Sequence, residues 1–142
     1  MTAAYRIGVV GPGPDTRFDA QRARALLERA LDTIVASVPD SSFEIVAGFT
    51  DTGMNAIAYR EARRRGYRTA GVACERAKEH PIYPCDRRII VPGDTWGVES
   101  ARFLSEIDVL VRIGGGEQSR AEARMAQLRR MPLLEYELPE NS

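Results

Sequence analysis

The chain has 142 residues, 44% of them hydrophobic, with twenty basic and twenty acidic side chains. That suffices for one domain with a sizeable core and is too apolar for intrinsic disorder. A formal charge of zero excludes the broad positive field on which non-specific nucleic-acid binding depends.

Residues 5–10, YRIGVV, are a β-branched run ending in GPGPD, a strand followed by a turn. From Thr16 the period changes. Leu26, Leu27, Ala30, Leu31, Ile34, Val35 and Val38 recur at three- and four-residue spacing, which predicts an amphipathic helix with Pro39 just beyond its end. A second strand is expected over 43–47 (FEIVA). After GFTDTG comes a helix carrying Met54, Ile57, Ala58 and Ala62 on one face and stopped by Gly66. Residues 69–74 form a third strand, 75–88 a polar loop with Pro81 and Pro84, and 89–91 a short fourth strand. A helix over 96–107 turns Phe103, Leu104 and Ile107 inward. A fifth strand over 108–113, a helix over 118–130 and a last strand over 133–136 complete the chain.

Strands and helices alternate throughout, the signature of an α/β domain whose parallel sheet is covered on both faces. The expected fold is a single-domain, Rossmann-like three-layer sandwich: a mostly parallel, doubly wound sheet with helices on both faces. It should occupy residues 1–137, with 138–142 as a disordered tail.

Metal and triad chemistry have little to work with. Cys74 and Cys85 are too few and too far apart for a paired-cysteine zinc site, and His80 is the only histidine. No metal site and no resident cofactor are expected. The start lacks the pattern of a signal peptide, and no apolar run approaches the ~18 residues that cross a bilayer. A soluble, cytoplasmic protein without a membrane or nucleic-acid partner is expected.

Three strand-to-helix turns carry more than a connection needs: VGPGPDT, GFTDTGMN and IGGGEQS. In a doubly wound sheet all such turns lie at the carboxyl edge, where ligands bind. Glycines let backbone N–H groups approach a ligand, and helix N-termini favour negative charge. Gly11, Gly13, Gly53, Gly115 and Gly116 are therefore candidate ligand residues, with Thr52, Met54, Gln118 and Ser119 beside them. Asp51 and Asn55 suit ribose hydroxyls, and Asp51 suits equally an N-terminal cap. Ser119 and Glu122 form the capping-box pattern S-x-x-E, or Glu122 points at a bound sugar or water instead. Glu117 would repel a phosphate beside it. Trp96 suits stacking on a base or packing.

Taken in order, AGFTDTGMNAIAYREARRRGYRTAGVA (47–73) and DVLVRIGGGEQSRAE (108–122) resemble one superfamily. It joins the LONELY GUY phosphoribohydrolases, long misnamed lysine decarboxylases, with DNA-processing protein A and the molybdenum-cofactor carrier proteins. The resemblance matches Gly115 and Gly116 to that superfamily's paired glycines, Ser119 to its threonine and Glu122 to its glutamate. In the hydrolases that glutamate is catalytic, while the glycines and threonine hold the nucleotide phosphate. Gln118 stands where those enzymes have glycine. The place of their catalytic arginine holds Glu99, with Arg102 one helical turn later as the substitute.

The leading expectation is a protein that binds a nucleotide or nucleotide-derived ligand at the glycine turns. One alternative is a nucleoside 5′-monophosphate phosphoribohydrolase with Glu122 and Arg102 as catalytic residues; the other is a carrier or sensor of a pterin-type cofactor. The resemblance also implies a homodimer or higher homo-oligomer.

Overall fold

The computed structural model describes residues 3–139. Six strands, β1 (Tyr5–Val10), β2 (Phe43–Ala47), β3 (Arg68–Cys74), β4 (Arg87–Val91), β5 (Val109–Ile113) and β6 (Leu133–Tyr136), form one sheet in the order β4-β3-β2-β1-β5-β6. Every pairing is parallel. The chain winds outward from β1 to β4, then returns to place β5 against the other side of β1. The α/β, Rossmann-like fold expected from the alternation of elements is therefore the fold observed.

Strand alternation sorts the core into two layers. Ile7, Val9, Ile45, Val109, Val111 and Ile113 face α1 (Ala20–Ser37) and α2 (Gly53–Arg65). Val46, Ala70, Val72 and Leu110 face α3 (Ser100–Ser105) and α4 (Glu117–Leu128). Gly8 in β1 shows how close the second layer lies: a Cβ there would stand 2.6 Å from Ile107 Cδ1 and 2.9 Å from Phe103 Cζ. Glycine lets α3 settle directly on the central strand.

Helix ends follow local chemistry, and they moved two of the expected boundaries. The Asp19 carboxylate accepts from the Arg22 N–H at 3.1 Å, so α1 begins after Asp19 and not at Thr16. Gly66, at φ +74°, closes α2 where expected, and its N–H bonds the Ala62 and Arg63 carbonyls. The helix expected over 96–107 is only Ser100–Ser105, because Gly97 at φ +106° interrupts it. The loop after β3 opens with a 3₁₀ turn, Glu75–Glu79.

At the C-terminal end, Leu138 is 5% exposed and belongs to the core beside α1 and α2. Arg112 holds the neighbouring segment. Its buried guanidinium donates to Glu135 and Glu137, each at 2.6 Å, and to the Gly114 carbonyl at 2.9 Å. Of the tail expected over 138–142, residues 140–142 lie outside the described residues.

Candidate functional site

The order of strands reverses at β1, between β2 on one side and β5 on the other. A crevice opens there, outside the carboxyl ends of the strands, as doubly wound sheets dictate. It encloses about 320 Å³. Val9, Val10, Val72 and Phe103 give it apolar walls.

All three glycine turns contribute to this crevice, and the one after β2 also braces the one after β1. Gly11 and Gly13 line it after β1. Gly11 passes so close to β5 that a Cβ would stand 2.6 Å from the Ile113 carbonyl oxygen. Gly53, at φ +55°, packs against the Pro12 and Gly13 backbone, and the Met54 N–H donates to the Pro12 carbonyl at 3.0 Å. The turn after β2 thus supports the turn after β1. It also sends Thr50 and Asn55 into the crevice, where the Asn55 amide donates to Thr50 Oγ1 at 2.9 Å.

After β5 the backbone takes two left-handed steps, Gly114 at φ +59° and Gly115 at φ +89°. These steps turn the chain so that Gly116 caps α4. Ser119 is consequently the third residue of the helix and not its cap. Its hydroxyl donates back to the Gly116 carbonyl at 3.2 Å, above Gly115. The expected capping box does not form. With Ser119 already inside the helix, the Glu122 carboxylate is directed across to α3, where Ser100 Oγ donates to its Oε2 at 2.8 Å.

Glu122 is 4% exposed and Glu99 is 6% exposed, and both line the crevice. Glu99 Oε1 accepts from the Gly97 N–H at 2.9 Å, and its Oε2 accepts from the Gln118 amide at 3.1 Å. Burial pushes the Glu122 carboxyl up to about 7, and the neighbouring charge of Glu99 pushes the same way. The hydrogen bonds from Ser100 and Gln118 oppose that shift without cancelling it. Among the described residues, none that lines the crevice is Arg or Lys. At the rim Trp96 is 37% exposed, with the Arg76 guanidinium 5.8 Å from its ring and the His80 ring 6.0 Å away.

No protein-family model matches the chain, and no curated protein sequence does. Solved structures do. The chain superposes on a Moco carrier protein from Chlamydomonas reinhardtii with a TM-score of 0.68 at 21% identity, covering 95% of this chain and 77% of that one. The molybdenum cofactor binding protein of Rippkaea orientalis gives a TM-score of 0.68 at 20% identity over the same shares. A further structure of the Chlamydomonas carrier gives 0.64 at 25% identity, over 94% of this chain and 76% of that one. The chain has the fold of the molybdenum cofactor carrier proteins. That is also the Rossmann-like fold of the superfamily that its glycine motifs resemble.

On this carrier fold, the candidate residues Gly11, Gly13, Asn55, Gly116, Gln118, Ser119 and Glu122 lie together around the crevice. The others lie elsewhere. Arg102 is not in the crevice; its guanidinium meets Glu106 at 3.3 Å on the outer side of α3. The helical period explains this, since Glu99 and Phe103, four apart, already occupy the inward side. Asp51 pairs with Arg60 at 2.6 Å and neither caps α2 nor lines the crevice. Thr52 donates to Thr50 Oγ1 at 3.0 Å, while Met54 is buried in the core. Gly115 lies beneath Ser119, behind the lining.

Sequence reasoning did not single out Thr50 or Ser100, and it noted Glu99 only as the residue standing where the hydrolases have arginine. Glu99 carried a usable signal: it precedes Phe103 by one helical turn, and Phe103 was already read as inward-facing.

Proposed function

We propose that this chain binds and carries a pterin-type cofactor in the crevice between β1 and β5, without chemical turnover. The observation that carries this reading is the composition of the crevice: two buried carboxylates, apolar walls, an aromatic ring at the rim and no cation in the lining. Such walls suit a flat, N–H-rich heterocycle.

They suit base release poorly. Cleaving an N-glycosidic bond leaves negative charge on the departing base, and the phosphate of the substrate brings more. A positive group is needed to stabilise both. Arg102 faces Glu106 instead, and Glu99 presents a carboxylate where the hydrolases resembled have arginine. Two structural neighbours, a Moco carrier protein and a molybdenum cofactor binding protein, support the carrier reading.

The test is calorimetric titration of the purified chain with a pterin, alongside incubation with nucleoside 5′-monophosphates and chromatography for free base. Saturable pterin binding with no released base is expected. Base release that stops in Glu122→Gln would overturn the carrier reading in favour of hydrolysis.

A further inference from the structure

The carrier reading names a class of ligand, and the crevice chemistry narrows how that ligand is recognised. Glu99 and Glu122 come from different elements, 23 residues apart, and are both buried at one cavity wall. Gln118 links them: its amide donates to Glu99 and helps to offset the charge of Glu122. Ser100 and the Gly97 N–H hold one oxygen of each carboxylate in place. A carboxylate oxygen has further lone pairs, so the held pair remains an acceptor surface facing the cavity.

We infer that Glu99 and Glu122 read the edge of the ring, selecting a 2-amino-4-oxopyrimidine, the edge that guanine and pterins share. This rests on the carrier reading and deepens it. That edge presents a ring N–H and an amino group side by side, the donor pattern a carboxylate accepts bidentately. An adenine edge sets a ring-nitrogen acceptor beside its amino donor. A uracil edge flanks a single N–H with two carbonyls. Each of these turns a lone pair toward a buried carboxylate, which costs free energy.

An aliphatic diamine would answer the charge of the pair but leave Val9, Val10, Val72 and Phe103 without an apolar face to cover. A flat ring answers both. The ring therefore enters first and its substituents leave past Trp96, where Arg76 stands 5.8 Å from the indole. This reverses the arrangement in which an anionic group lies deepest, against the glycine turn.

Trp96 is the only tryptophan and lines the crevice, so its fluorescence reports occupancy. At pH 8, where the Glu122 carboxyl is ionised, guanosine, inosine, adenosine and 1,4-diaminobutane are titrated against it, with neopterin followed by calorimetry. Neopterin and guanosine are expected to bind. Inosine, which lacks only the 2-amino group, should bind about 10- to 100-fold more weakly, the loss expected for one hydrogen bond to a charged group. Glu99→Gln and Glu122→Gln, each checked for native circular dichroism, should bring guanosine and inosine within about threefold of each other. Equal binding of guanosine and adenosine, or selectivity that survives in both variants, overturns the edge inference and leaves the carrier reading standing. Diamine binding as tight as guanosine also overturns it, making the pair an amine site. No binding by any of the five removes the carrier reading and the edge inference together.

Discussion

Glu122→Gln should stabilise the ligand-free protein at pH 8. The Glu122 carboxyl is raised from about 4.5 to about 7, chiefly by burial and secondarily by Glu99. Between those values the folded chain holds a proton that the unfolded chain has released, so stability falls as pH rises through that window. The loss is fully developed above pH 7. At 1.36 kcal/mol for each pH unit, a shift of this size corresponds to about 3 kcal/mol. Glutamine keeps the shape and can still accept from Ser100, but carries no charge to bury. At pH 8 the variant should therefore melt about 6–12 °C above the parent, given roughly 2–4 °C per kcal/mol for a chain near this length. At pH 4.5, where the parent carboxyl is neutral in the fold, the difference should shrink below about 1 kcal/mol. Paired thermal melts across pH 4.5–8 measure this directly. A variant no more stable than the parent at pH 8 would refute the premise that Glu122 is buried against another carboxylate without a compensating cation.

Three further substitutions probe the frame around the site. Gly115→Ala puts a Cβ at φ +89° and against the Ser119 side chain; a loss of about 1–3 kcal/mol in urea denaturation is expected, together with loss of ligand binding. Arg112→Met removes the donors that hold Glu135, Glu137 and the Gly114 carbonyl. It should cost about 1–3 kcal/mol, and amide exchange should quicken around Leu138. Arg102→Ala removes only an exposed pair with Glu106; stability should change by no more than about 0.5 kcal/mol and ligand affinity not at all, as titration would show.

The fold was largely legible in the sequence. The β-branched run at 5–10 and the period-3.6 run ending at Val38 each need only nearby residues to declare themselves, and both became the elements expected. Errors gathered where a local pattern had more than one way to be satisfied. S-x-x-E at Ser119 and Glu122 is a capping box only if Ser119 precedes the helix. The left-handed pair Gly114 and Gly115 lets α4 start earlier, and Ser100 then takes the Glu122 carboxylate. Asp51 had a similar choice and went to Arg60, outside the lining of the crevice.

What the sequence determined by itself was the set of parts: six strands, the helices between them, and glycine turns at the carboxyl edge. Hydrophobic period and glycine geometry are properties of neighbouring residues, so they survive without knowledge of the rest of the chain. Only the tertiary structure decided which parts meet. The return of the chain from β4 to lay β5 beside β1 opens the crevice at that point. It also sets Glu99, before α3, against Glu122 in α4. The helical period puts Glu99 and Phe103 on one side and Arg102 on the other. The meeting of Glu99 with Glu122 depends instead on how two helices pack over one sheet face, which no local spacing records.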